Sequence, residues 1–596
     1  MKKYIKIAGT LFFASLLTQS CLDFDDPGDE SNSNVVQTET TQYIGNVDSI
    51  PYFNQPTEEG VRTAIDSLRT YFYQALAGQY NIRGGKEGGL PGAHAYQRQY
   101  SLGPDLYAQY FTIPHKDFMY GTHTSTYNVS AEFNDNALGA YTMAKNAIMP
   151  LLHHPMIDSI PEMKAINLLY YSLIAQERAD LAGPFTYLED KQNSEEPSEY
   201  NDLETIYFGI VENLDTIIAC LKHYDETRPE WYKEQIKMVL LQYNQTSRGL
   251  FEGDFSMKSY IKLANSLKLR MAMHIVKVNP ATAQKWAEEA VASGVIESVN
   301  EQQGIFPAIS GFIHPLKDIA TQWNDLRLSA SFESLLMSLD HPYAKYVFLP
   351  NAYDIPHKNG VDVLPANTRI CGIRSGTLVG DGQSQAINKR QGYSTLSLNV
   401  IEFKYCPAYF IKWAEVDFLR AEGAIRGWNM GGSAEFFYNR GITNAYLEEP
   451  MYGSDYSLYL DEYMAKEEPE DYISEDPMGD GEPWPSVTTI GVKWNEGDDL
   501  ETKLEKIITQ KYIALFPLST EAWTELRRTG YPKLFPVLNT DDGDGSIKQG
   551  DMIRRIPWVP TDPVVAGIVE ASGIPALGGP DEQATRLWWD IDAPNF

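Results

Sequence analysis

With 596 residues the chain is long enough to bury a large core, and a formal charge of −31 ill suits it to nucleic acid or to an anionic lipid surface. Aromatic residues make up 12% of it, with 37 tyrosines and 11 tryptophans, enough for a large core or for ring faces that stack on sugars or grip peptides. Its four cysteines include no Cys-x-x-Cys spacing, which argues against a zinc site or a disulfide framework.

Lys2, Lys3 and Lys6 surround a short apolar run, Ile5 to Leu17, that leads into Ser20-Cys21. A basic start followed by a short apolar stretch reads as a secretory signal, too short to be a stop-transfer helix. The small residue before Cys21 resembles a bacterial lipobox, in which the cysteine is acylated and becomes the new N-terminus. Each buried methylene of such an anchor contributes about 0.8 kcal/mol, so two or three acyl chains hold permanently where one does not. Residues 1–20 are therefore read as signal peptide and 21–45 as an acidic and polar tether, poor in apolar residues. Residues 46–596 are read as one domain.

From about Thr57 the apolar periodicity is helical, and it recurs over 57–78, 135–153, 160–180, 202–223, 256–277, 280–293, 407–427 and 500–528. Tyr260, Leu263, Ala264, Leu267, Met271 and Ile275 form one stripe; Ile411, Ala414, Phe418, Ala421 and Ile425 form another. Small residues within such stripes let helices approach closely, as in tetratricopeptide-like hairpins, although no strict 34-residue period is present. Long irregular stretches lie between, at 81–130, 300–400 and 429–500, and loops of this length are usually functional. The acidic run from Asp461 to Glu482 is read as solvated loop.

Signatures of chemistry are missing. There is no Gly-x-Ser-x-Gly elbow, no His-Glu-x-x-His and no phosphate loop. Asp541-Asp542-Gly543-Asp544-Gly545 has part of the rhythm of a calcium loop, but Thr540 stands where the first carboxylate belongs, so an exposed acidic turn is favoured over a calcium site at Asp542 and Asp544. The expectation is a protein with no enzymatic activity and no cofactor.

Several motifs occur in a telling order. Asp180-Leu-Ala-Gly-Pro-Phe-Thr-Tyr187 precedes Tyr200-Asn-Asp-Leu-Glu-Thr-Ile-Tyr207, and then Ala264-Asn-Ser-Leu-Lys-Leu-Arg-Met-Ala272. Trp413-Ala-Glu-Val416 with Arg420-Ala-Glu-Gly423 follows, then Gln510-Lys-Tyr-Ile-Ala-Leu515, Trp523, Arg527-Arg-Thr-Gly-Tyr-Pro532 and Arg554-Arg-Ile-Pro-Trp558. Together they resemble the SusD/RagB family of nutrient-binding outer-membrane lipoproteins of Bacteroidetes, over roughly 55–560. The Arg-Arg-Thr-Gly form points to a SusD-like subgroup. The acidic residues just after Cys21 resemble the surface-export signal of such lipoproteins. One departure is Leu339-Asp-His-Pro-Tyr343, where the family usually has Asp-Pro-Arg.

The resemblance implies a mainly α fold, with tetratricopeptide-like hairpins supporting a loop-rich ligand-binding face. It implies a lipid-anchored protein on the outer membrane, facing outward, that passes nutrient to a SusC-like TonB-dependent barrel and touches the membrane only through its anchor. It places ligand contacts in two regions. The first offers Tyr96, Asp105, Tyr107, Tyr110, Phe118, Tyr120 and Tyr127; the second offers Trp323, Asn324, Asp325 and Arg374. Trp323, with polar residues on both sides, is the foremost candidate for stacking on a pyranose ring. Asn265 and Arg270 are read as hydrogen-bond partners of neighbouring helices, and Arg527 and Arg528 as partners of acids or backbone carbonyls, none of them as ligand contacts. The ligand is read as an oligosaccharide; a RagB-type peptide binder and a helical scaffold without a small ligand are the rival readings.

Overall fold

In the computed structural model the described residues are 50–83, 92–114, 123–129, 138–188, 198–243, 257–306, 313–351, 369–378, 392–396, 406–448, 458–477, 482–558, 560 and 562–596. The long helices are α1 Glu58–Arg83, α2 Gly139–Leu152, α3 Pro161–Ala182, α4 Leu203–Thr227, α5 Glu230–Tyr243 and α6 Lys258–His274. They continue as α7 Pro280–Ser293, α8 Ala330–Ser338, α9 Trp413–Ile425, α10 Ala434–Leu447, α11 Leu500–Leu515 and α12 Ser519–Thr529. Starts are written in the sequence: the side chains of Asp202, Asn279, Ser329, Ser433 and Asp499 each accept a hydrogen bond from a backbone N–H in the first turn of α4, α7, α8, α10 and α11. Gly530 ends α12 in the left-handed region, φ 81°, where a side chain would be strained, which accounts for the glycine of Arg-Arg-Thr-Gly.

The helices pack as pairs, α1 on α2, α3 on α4, α6 on α7 and α9 on α10, with α4 against α6 and α11 against α9. The stripe on α6 is wholly buried, as expected. Close approach is explicit between α9 and α10, where a Cβ on Gly441 would sit 2.8 Å from the Phe418 ring. Among the described residues, strand is confined to three antiparallel pairs of two-residue strands: β1 Phe111–Thr112 with β3 Arg327–Leu328, β2 Gly304–Ile305 with β4 Ala408–Tyr409, and β5 Ile473–Ser474 with β6 Trp484–Pro485. All described residues belong to the compact unit Gln42–Phe596. Cys21 and the signal segment lie outside the described residues.

The structure departs from the expected elements in three ways. The segment 500–528 is two helices, because Pro517 has no N–H to donate and Phe516 before it is extended. Helices α8 and α10 lie inside stretches read as irregular. Nearly every residue of α8 is buried, so it shows no polar face for periodicity to reveal. The acidic run is also more ordered than a solvated loop: it holds most of the short helix Leu460–Met464 and strand β5, which pairs with β6 just beyond it, and the Glu470 N–H donates to the Ser338 carbonyl at 2.7 Å.

Polar residues on the helices hold the pairs together. Arg270 on α6 donates from Nε and one terminal nitrogen to Glu415 of α9 at 2.7 and 2.8 Å. The Asn265 amide donates to the Gly294 carbonyl at 2.8 Å. Arg527 donates to the carbonyls of Asp180 and Arg554, both at 2.8 Å. Arg270 and Asn265 thus bond to neighbouring elements and Arg527 to backbone carbonyls, as expected of them.

Candidate functional site

Side-chain contacts bring the two candidate regions together. Thr112 of β1 stands opposite Arg327 of the antiparallel β3, so the chain running into β3 lies beside the chain leaving β1, and His94 and Gln97 reach it from the segment before β1. A single π-helical turn, Asp318–Gln322, ends at Trp323, whose N–H donates to the Asp318 carbonyl at 2.7 Å. Across from it the short helix Gly92–Tyr96 presents His94, exposed, with its ring stacked on Trp323 at 4.8 Å between centroids and 29° between planes. Asn324 follows with φ 59°, a left-handed conformation that asparagine tolerates better than most residues. Its Oδ1 accepts from buried Arg327 at 3.1 Å, and its amide donates to the Gln322 carbonyl at 3.1 Å. The Asp325 carboxylate accepts from the Gln97 amide at 2.7 Å. Trp323, Asn324 and Asp325 are all half-buried and Gln322 is exposed. The result is a surface with a stacked aromatic pair beside an amide and a carboxylate whose positions are held from behind.

The remaining candidates are not on that surface. Tyr96 is buried, its ring 4.8 Å from Tyr100 and 5.2 Å from His314. Asp105 is fully buried, and burial pushes its carboxyl up to about 7 against the opposing effect of the Ser519 and Ser101 hydroxyls. Tyr107 is buried against Tyr127 and Trp523, and the Tyr110 hydroxyl donates to the Tyr512 carbonyl in the core. The expectation that these residues face a ligand is therefore corrected: a tyrosine-rich stretch next to a core helix packs inward, because ring burial removes the most apolar area from water. Arg374 is also placed elsewhere. Its guanidinium lies 4.2 Å from the Trp484 ring centre and 5.0 Å from that of Phe535, and it donates to the Pro536 carbonyl at 2.9 Å. Phe118 and Tyr120 lie outside the described residues. His94, Gln97 and Arg327 were not singled out in the sequence, since their partners are decided by the fold.

Two acidic clusters could suggest a metal. In the turn at 540–546, Asp542 accepts from the Thr126 hydroxyl at 2.6 Å; Asp544 accepts from the Ser546 N–H at 2.9 Å and, through its other oxygen, from the Gln583 N–H at 2.7 Å. These carboxylates serve as acceptors that tie the C-terminal segment down. In the core, His274, Glu521 and Glu525 bring one donor atom each within 4.8 Å of one another. Lys511 already meets Glu521 at 2.9 Å and Glu525 at 3.3 Å, and Arg270 meets Glu521 at 3.5 Å. The positive charge that a metal would bring is supplied there by side chains.

A family model, SusD-like, described as Susd and RagB outer membrane lipoprotein, matches residues 54–590. The chain belongs to the SusD-like family. Solved structures agree over nearly the whole body of this SusD-like chain. A chitin-binding SusD homolog from Flavobacterium johnsoniae superposes with a TM-score of 0.73 at 29% identity, covering 89% of this chain and 100% of that one. A SusD homolog from Bacteroides vulgatus gives 0.71 at 25% identity, covering 89% and 100%, and a SusD-like protein from Bacteroides thetaiotaomicron gives 0.70 at 26%, covering 87% and 99%. No curated protein matches the sequence. Among the described residues, no helix of this SusD-like protein is long and apolar enough to cross a membrane.

Proposed function

We propose that this chain is a non-catalytic, surface-held lipoprotein that captures an oligosaccharide and delivers it to a SusC-like TonB-dependent barrel. The observation that carries the reading is the Trp323–His94 pair flanked by Asn324 and Asp325. A pyranose has an apolar face that stacks on an indole and a rim of hydroxyls that need partners. The amide and carboxylate beside Trp323 supply those partners, and burial of an unpaired hydroxyl is what makes such a site selective. The chitin-binding homolog from Flavobacterium johnsoniae supports a glycan over a peptide.

Trp323→Ala is expected to weaken oligosaccharide binding about tenfold, the equivalent of ~1–2 kcal/mol for one lost stacking contact. Trp323 is only partly buried, at the edge of the core, so the melting temperature should fall by less than when a fully buried ring is cut to alanine, a change that costs about 3–5 kcal/mol. Calorimetric titration beside a melting curve tests this. Unchanged affinity with a clearly lowered melting temperature would make Trp323 a packing residue and remove the site. The anchor has its own test: Cys21→Ala should release the protein from the membrane fraction, and membrane-bound protein in cells carrying that change would refute the lipid anchor.

A further inference from the structure

Two features of the sequence play no part in the surface around Trp323: the Leu339–Tyr343 departure from the family pattern and the acidic run from Asp461. In the fold they face each other. His341 packs edge-on against Tyr463, 4.9 Å between ring centres, and the segment after the Leu460–Met464 helix is pinned to Ser338 by the Glu470 N–H. Between the two segments lies an open groove of about 410 Å³. Tyr346 lines one side, 36% exposed, and Tyr459 the other, 48% exposed. The walls are built to stay in place. The Tyr463 hydroxyl donates to Gln510 at 2.8 Å beneath the groove. His341 is buried and kept neutral, its pKa lowered to about 3 by that burial, and its Nδ1 accepts from the Tyr343 N–H at 3.1 Å.

The charges on the rim are uneven. Lys345 pairs with Asp340 at 3.7 Å, and Lys466 pairs with Glu470 at 2.7 Å. Glu467 is taken by Lys493 at 2.5 Å, outside the groove. Among the described residues no lysine or arginine pairs with Glu462 or Glu468, which also line it.

We propose that this groove is a second saccharide site, distinct from the Trp323 surface, that takes a short neutral or amino-bearing oligosaccharide and rejects acidic ones; the proposal rests on the glycan reading above. Two tyrosine rings that are exposed on one groove offer aromatic surface for the apolar face of a pyranose. The Glu462 and Glu468 carboxylates accept charge-assisted hydrogen bonds from hydroxyls and attract a protonated amine. They repel uronate or sulfate groups, a built-in discrimination against anionic glycans.

The test titrates the full-length protein in mild detergent, at about pH 5.5 and low salt, where exposed carboxylates are still ionised. The probes are hexamers of glucosamine, N-acetylglucosamine and galacturonic acid. In the Trp323→Ala background the glucosamine hexamer should still bind, and adding Tyr459→Ala or Tyr346→Ala should weaken that binding about tenfold with no change in melting, the loss expected for one stacked ring. Glu462→Gln with Glu468→Gln should erase the preference for glucosamine over N-acetylglucosamine. A photoreactive glucosamine oligomer should label peptides spanning 340–346 and 458–470. If Trp323→Ala abolishes all binding while Tyr459→Ala and Tyr346→Ala bind like the parent, the groove proposal fails and the primary site stands. If the tyrosine changes abolish binding and Trp323→Ala does not, the primary site fails instead. A groove that takes a lysine-rich peptide and none of the three saccharides overturns the proposal, and no saccharide binding to the parent overturns both readings.

Discussion

Arg528→Ala is expected to lower the unfolding free energy by about 3–5 kcal/mol, the cost of stranding buried charge. The Arg528 side chain is wholly buried on α12 and bridges two carboxylates. It donates to Glu422 at 2.8 and 2.6 Å and to Glu525 at 3.1 and 2.6 Å. Burial alone would raise the Glu422 carboxyl; Arg528 and Arg426 overcome that and hold it at about 2. Without the guanidinium, Glu422 and Glu525 remain in the core with too little positive charge. Because a whole domain is stable by only ~5–15 kcal/mol, this one change should consume much of the margin. Arg528→Lys should recover little, since a single ammonium cannot make two bidentate pairs. Urea unfolding of parent and variants measures the effect, and a loss below about 1 kcal/mol, the size of an exposed pair, would show that the network does not bear on stability.

The second large effect is a dependence on pH centred on His274. The ring is fully buried between Asp180 and Glu521, at 3.4 and 3.3 Å. Burial by itself lowers its pKa; the Glu521 and Asp180 carboxylates outweigh this and hold it at about 9, against an ordinary 6.5. The folded pKa lies above the unfolded one, so the stabilisation is fully present below pH 6.5 and is lost as pH rises through about 9. A shift of this size corresponds to roughly 3 kcal/mol. Other buried groups titrate nearby. Burial raises Asp105 and Glu333 to about 7, so their contribution has already gone by that pH. Burial lowers Lys145 to about 8, which acts in the opposite sense at higher pH. The clean measure is therefore the difference between parent and His274→Gln. The parent should be more stable by about 3 kcal/mol near pH 6, and the two should converge by about pH 10. A difference that stays constant from pH 6 to 10 would show that His274 is not charged in the folded state.

The helices that periodicity could find are those with one apolar face: the stripe from Tyr260 to Ile275 is buried where it was expected, and Asp202 and Asp499 cap the helices they precede. The family motifs were legible for the same reason, since they are local strings. The hidden elements were those without contrast. Helix α8 is buried nearly all round, and α10 carries Asn439, Gly441, Thr443 and Asn444, residues of low helix propensity, in a short run that packing against α9 sustains.

The candidate site divides along the same line. The residue types, tryptophan, asparagine and aspartate in a polar stretch, are visible in the sequence. Which of the many tyrosines are exposed is not, because exposure belongs to a ring's neighbours and not to the ring. Tyr107 and Tyr110 go inward because Trp523 and Tyr512 arrive from α12 and α11 to cover them, while His94 is left outside and stacks on Trp323. Gln97 reaches Asp325 across 228 residues of chain, and Arg270 reaches Glu415 across 145. The sequence by itself determined the helical periods and the family, because local spacing encodes both. Tertiary structure alone decided which polar residues became buried ion pairs, which aromatic rings stayed at the surface, and that the Leu339–Tyr343 turn and the acidic run would enclose a groove, because each depends on distant segments meeting and on which side chains they then shield from water.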